Sequence, residues 1–126
     1  MEHRRLGRTG LDVSVLGIGC GYLAQLEYDE GVRILDRAFE LGINYFDGRY
    51  GDSSTKLRPL LARHRDRCVV VTKTSEFTAE GAQRRVEEDL QELGSDYIDV
   101  FLLRTYNREM LEKHLAPGGS MEGVQK

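Results

Sequence analysis

The sequence has no apolar stretch approaching the ~20 residues that cross a membrane as a helix, and its start, "MEHRRLGRTG", lacks the apolar core of a signal peptide. A cytoplasmic location without a membrane partner is the expectation. Cysteine is scarce. Cys20 and Cys68 stand far apart, with neither CxxC nor histidine spacing, which argues against a disulfide framework and against a metal site. Each reads as an unpaired structural thiol. Positive charge is not in excess either: the formal net charge is −3 and arginines alternate with acids, as in "RRVEED", so no basic stripe forms for a nucleic acid.

What is present suits a globular domain. The 126 residues are 40% hydrophobic and 31% charged, with apolar positions in separate periodic blocks. That length supports one domain that buries roughly two-thirds of its unfolded surface.

After Arg5, "LGRTGLDVSVLGIG" reads as a hairpin turning at Arg8-Thr9-Gly10, with Val13 and Val15 alternating with polar neighbours. "YDEGVRILDRAFELG" reads as a helix with Asp29 as its N-cap, Ile34, Leu35, Ala38 and Leu41 on one face, and Gly42 as its stop. "INYF" is a short buried strand. "SSTKLRPLLARH" is a weaker helix because Pro59 lies inside it, and "CVVVTK" is a β-branched run typical of a covered strand. Thr78 caps the clearest helix, on which Ala82, Val86, Leu90 and Leu93 recur before Gly94 ends it. "YIDVFLL" is the next strand, "TYNREMLEKHLAPGG" a longer connection with room for a helical turn, and Ser120 the cap of one more helix.

A hairpin followed by alternating strands and helices is a run of βαβ units, so the sheet should be parallel with right-handed crossovers. Functional residues then belong just after the strand C-termini. These positions are Gly19 to Tyr22, Asp47 to Gly51, Lys73 to Ser75 and Arg104 to Tyr106. The last helix has barely a turn after its cap and no strand follows, so the chain is expected to be a partial barrel domain over residues 1–126, truncated before its second half. It would amount to about half of the ~250 residues of a (β/α)8 barrel.

Asp47 and Tyr50, Lys73 and Arg104 would share one pocket if these strand ends converge. A phenol has a reference pKa of about 10 and donates a proton poorly at neutral pH unless nearby cations stabilise the phenolate. A lysine beside it does that, and an aspartate keeps the lysine charged and oriented. A tyrosine tuned in this way is a general acid for a carbonyl oxygen. Taken singly, each residue also has an ordinary reading: Asp47 as a helix cap, Tyr50-Gly51 as a turn, Lys73 as a solvated strand end. His64 and His114 fall in helical or loop segments without partner spacing and read as solvated.

"RRLGRTGLDVSVLGIGCG", "GINYFDGRYGDS", "VVVTKT" and "LGSDYIDVFLLR" resemble, in that order, successive motifs of the aldo/keto reductase family, and "APGGSMEGVQK" is similar to the start of its fourth barrel helix. The resemblance implies an α/β fold, the N-terminal half of a (β/α)8 TIM barrel with an N-terminal β-hairpin. It implies hydride transfer from NADPH, or NADH, to an aldehyde or ketone as the small-molecule partner. Carried over by position, the catalytic aspartate falls on Asp47, the proton-donating tyrosine on Tyr50 and the lysine on Lys73. Gly19, Cys20 and Gly21, with Asp47, match the region beside the nicotinamide.

Two departures stand out. The family spaces its Asp and Tyr more widely, as in a pattern of FDTAxxYG type, whereas "FDGRYG" is shortened. Arg104 stands where the family commonly has a histidine; it stays charged and cannot shuttle a proton, but it can polarise a carbonyl or hold a carboxylate. These departures support an alternative, a non-catalytic binding or regulatory module of the same family. The family's cofactor grip comes largely from its second half, so the 126-residue chain alone is expected to be nearly inactive. Its open sheet edges invite self-association.

Overall fold

The computed structural model describes residues 1–48 and 51–125. Strands β1 (His3–Arg5) and β2 (Asp12–Ser14) form the expected antiparallel hairpin, with His3 opposite Ser14. Gly7 and Gly10 take the positive φ values of its connection, +54° and +83°. Asn44 ties the hairpin to the rest of the chain, accepting from Ser14 N at 2.7 Å and donating to the Asp12 carbonyl at 2.9 Å. Val13 is buried as expected. Val15 lies beyond the strand and is exposed.

Four further strands make one parallel sheet in chain order: β3 (Ile18–Gly19), β4 (Tyr45–Asp47), β5 (Val69–Thr74) and β6 (Val100–Leu103). Helices α1 (Tyr28–Glu40), α2 (Ser53–His64) and α3 (Ala79–Leu93) make the three crossovers. Strand alternation sends Phe46 and Val70 into a core with Leu35, Leu57, Leu60 and Leu93. Fully burying each large apolar side chain contributes about 1.5–3 kcal/mol. The same alternation puts Asp47, Val71 and Lys73 on the opposite face, the inside of a (β/α)8 barrel of which this is the N-terminal half.

Several local expectations change in detail. Glu27, not Asp29, occupies the N-cap of α1 and makes no side-chain cap bond; Asp29 sits within the first turn, where its charge favours the positive helix end. Gly31, Leu35 and Ala38 form the buried stripe of α1, while Ile34 and Leu41 are exposed. Close approach of α2 sets this rotation: a Cβ on Gly31 would stand 2.7 Å from Lys56 Cδ.

Helix α2 runs unbroken through Pro59. Proline has no N–H for the carbonyl four residues back, that of Thr55. Tyr28 Oη donates to that carbonyl from α1, at 3.3 Å. In α3, Thr78 caps as expected, its hydroxyl accepting from Gly81 N at 3.1 Å, and Gly94 ends the helix at φ +63°.

The connection after β6 contains more than a turn. It forms the eight-residue helix α4 (Arg108–Leu115), capped by Asn107, whose Oδ1 accepts from Met110 N at 2.9 Å. Ser120 is the first residue of α5 (Ser120–Val124) and Gly119 the N-cap; the Ser120 hydroxyl donates to the Glu76 carbonyl at 2.6 Å instead of capping. Among the described residues, no helix is long and apolar enough to cross a membrane.

Candidate functional site

Strand register brings the two site residues on β4 and β5 together. Asp47 lies opposite Val71, and Lys73 stands two residues further along β5 on the same face. Lys73 Nζ donates to Asp47 Oδ2, with the lysine side chain only 18% exposed. The other carboxylate oxygen, Oδ1, is buried and has no hydrogen-bond partner among the described residues.

Cys20 begins a short 3-10 segment, Cys20–Gln25, after β3 and is fully buried. Burial pushes its thiol up to about 12; the negative charge of Asp47 adds to this, and Lys73 opposes it. The thiol is thus neutral and packs in the core below the ion pair. Gly19 is exposed and Gly21 partly so, so this loop presents chain rather than the cysteine side chain.

Arg104 follows β6, and its backbone N–H donates to the Thr74 carbonyl at 2.9 Å. Its guanidinium lies 5.7 Å from the centre of the Tyr106 ring. Lys73 and Arg104 line one cleft of about 610 Å³, together with Ser75, Glu76, Arg84 and Arg85. Gly51 reaches the same cleft. Tyr50 lies outside the described residues.

His114 is not solvated. It is fully buried, with Nδ1 at 2.7 Å from Ser120 Oγ, Nε2 at 3.1 Å from the Arg104 carbonyl and its ring 4.7 Å from that of Phe77. Ser120 Oγ meets both the His114 ring and the Glu76 carbonyl. His114 and Ser120 thus hold the backbone on both rims of the cleft, at Arg104 and at Glu76. His64 is partly buried too, stacked 4.7 Å from Phe39. Helix periodicity pointed to neither contact, since both depend on partners far from the ring in sequence or on another element.

Lys56 also escaped sequence reasoning. It is fully buried, and Nζ donates to Leu23 O at 2.6 Å, Leu26 O at 2.8 Å and Asp52 Oδ1 at 3.0 Å. Three acceptors satisfy its three donors, so the ammonium clamps the loop after β3 to α2. The only hint in the sequence was a lysine among the apolar positions of "KLRPLL".

An acid–lysine pair at adjacent parallel strand ends, beside a polar cleft, is a candidate site placed as in α/β barrels. The model of the aldo/keto reductase family matches residues 15–109, and the chain belongs to that family. It is 33% identical over 118 residues to an L-galactose dehydrogenase of Arabidopsis thaliana, covering 79% of this chain and 37% of that protein. It is 27% identical to an L-glyceraldehyde 3-phosphate reductase of Escherichia coli, covering 80% and 36%. A solved aldo-keto reductase from Bacillus halodurans, in its holo form, superposes with a TM-score of 0.78 at 28% identity, covering 90% of this chain and 44% of that one. The chain spans less than two-fifths of the length of these curated relatives and about half or less of the solved chain.

Proposed function

We propose that the protein carrying this chain is an NAD(P)H-dependent oxidoreductase that reduces an aldehyde or ketone by hydride transfer. The Lys73–Asp47 pair, whose lysine lines the cleft shared with Arg104, carries this reading. Asp47 keeps Lys73 charged and oriented. The lysine ammonium favours the phenolate form of a neighbouring phenol, which makes Tyr50 the proton donor to the carbonyl oxygen. Gly51, next to Tyr50 in sequence, lines the cleft with Lys73 and supports that assignment. Arg104 polarises the carbonyl or holds a substituent of the substrate.

The residues suit a dinucleotide cofactor. Lys73 and Arg104 offer donors in the cleft, and Gly19, Cys20 and Gly21 offer a loop whose glycines permit close approach. When bound, the reduced nicotinamide supplies the hydride. Relatives named for L-galactose and for L-glyceraldehyde 3-phosphate support a small hydroxylated carbonyl compound as substrate. A cytoplasmic setting belongs to the same proposal.

Four strands do not close a barrel, so residues 1–126 by themselves are proposed to turn over little. The edges β3 and β6, with Leu102 on the inward face 45% exposed, support self-association of this chain in isolation.

The test is NADPH oxidation, followed optically against a panel of aldehydes and ketones, with the complete reading frame beside the 126-residue chain. Turnover by the complete product supports the reading. Cofactor binding without turnover across the panel would favour the non-catalytic module, for which Arg104 and the short Asp47–Tyr50 spacing already speak.

A further inference from the structure

We propose that the cleft beside Lys73 contains an anion subsite formed by Arg84 and Arg104, and that the substrate carries a carboxylate or phosphate group bound there. This inference rests on the oxidoreductase reading above. The cleft, at about 610 Å³, is of the size that encloses a small organic molecule. Four cations line it, Lys73, Arg84, Arg85 and Arg104, against two carboxylates, Glu76 and Glu88.

The cations are not equally available. Lys73 is held by Asp47. Arg85 is engaged by Glu88, by Asp89 at 2.8 Å and by Glu92 at 3.4 Å. Arg84 is exposed and has no hydrogen-bond or ion-pair partner among the described residues. Glu76 lies against the first turn of α3, where a Cβ on Gly81 would come within 2.9 Å of its Oε2. Its charge is favourable there, at the positive end of the helix.

The connection from β5 to α3 explains why an arginine of α3 reaches the site. Only residues 75–78 separate Thr74 from Ala79, so the helix starts almost at the strand end. Gly81, Arg84 and Glu88 then recur along one face and line the cleft. Arg104 lines the same cleft and has contacts of its own within the chain; its planar guanidinium suits a carboxylate or phosphate in two-pronged contact. Because Lys73 lines the same space, an anionic head between the arginines places a carbonyl a few atoms away at the reactive pair. The chemistry selects a short oxo acid or a phosphorylated aldehyde over a neutral carbonyl compound.

The purified protein would be titrated calorimetrically with pyruvate, with its uncharged methyl ester and with inorganic phosphate, beside Arg84→Gln and Arg104→Gln. The expectation is that the anions bind more tightly than the ester and that Arg84→Gln weakens them by about tenfold, as loss of a charge-assisted contact does. Phosphate tighter than pyruvate identifies a phosphorylated substrate; the reverse identifies an oxo acid. Equal affinity for ester and acid, no anion binding, or unchanged anion affinity in Arg84→Gln overturns the subsite. Binding is read without turnover, so the two readings separate: anion binding in a protein that never oxidises NADPH leaves the subsite standing and removes the reductase. Turnover without anion preference does the opposite.

Discussion

Lys73 on β5 donates to Asp47 on β4, two residues past the position opposite that aspartate, so a single parallel ladder supplies both halves of the ion pair. The pair sits at the strand C-termini, the end of a parallel α/β sheet outside which ligands bind. That relationship makes the first prediction. Asp47→Asn and Lys73→Met should each lower kcat of the complete protein by about 100-fold or more, the range of a lost acid–base contribution. Circular dichroism should leave the fold unchanged, since both residues lie outside the core cluster. A variant that keeps full turnover would remove the pair from the mechanism.

Lys56 should matter for stability. Lys56→Met preserves the apolar stem but leaves the Leu23 and Leu26 carbonyls without their donor. Each buried unsatisfied group costs about 1–3 kcal/mol, so with two carbonyls urea denaturation should show a loss of about 2–6 kcal/mol. The contact to Asp52 adds little, because that carboxylate is half exposed.

The buried His114–Ser120 contact yields a third expectation. Ser120→Ala removes a partner of His114 and the donor to Glu76 O, and should cost about 1–3 kcal/mol in chemical denaturation. His114→Phe keeps ring volume but gives up both polar contacts and should cost at least as much. A fall of less than half a unit of that scale, below about 0.5 kcal/mol for both variants, would mean water replaces these bonds readily.

Both cysteines should be silent in the native state. Burial pushes Cys20 up to about 12 and Cys68 up to about 11, from an ordinary 9.0. At pH 8 a thiol reagent should react with native protein only as fast as it opens, and at once in denaturant. In the unfolded chain these thiols ionise near pH 9 while the folded ones stay protonated, so the folded state binds more protons and stability falls as pH rises from about 9 towards 12. Cys20→Ser should flatten that decline.

Much of this was legible because it is local. Thr78 and Gly94 bound α3 through cap geometry that needs only neighbouring residues. The β-branched run before Lys73 announced a covered strand, and order along the chain announced the parallel topology and the strand ends where Asp47, Lys73 and Arg104 stand. Shortness of the connection after Thr74 was also written in the sequence, although its consequence, Arg84 at the cleft, was not.

The sequence by itself determined the repeat of strand and helix and the residues that meet at the strand ends, since those follow from periodicity and chain order, and its ordered motifs carried the family resemblance. Tertiary structure alone decided which helix face is buried and where polar side chains end. Gly31 faces inward because Lys56 crosses it, α2 survives Pro59 because Tyr28 of α1 supplies the missing donor, and His114 is buried because Ser120 and the Arg104 carbonyl lie within hydrogen-bond distance of its two nitrogens. Each of these rests on a hydrogen bond or close contact made between different elements, and the periodicity of a single helix carries no record of the partner that will face it.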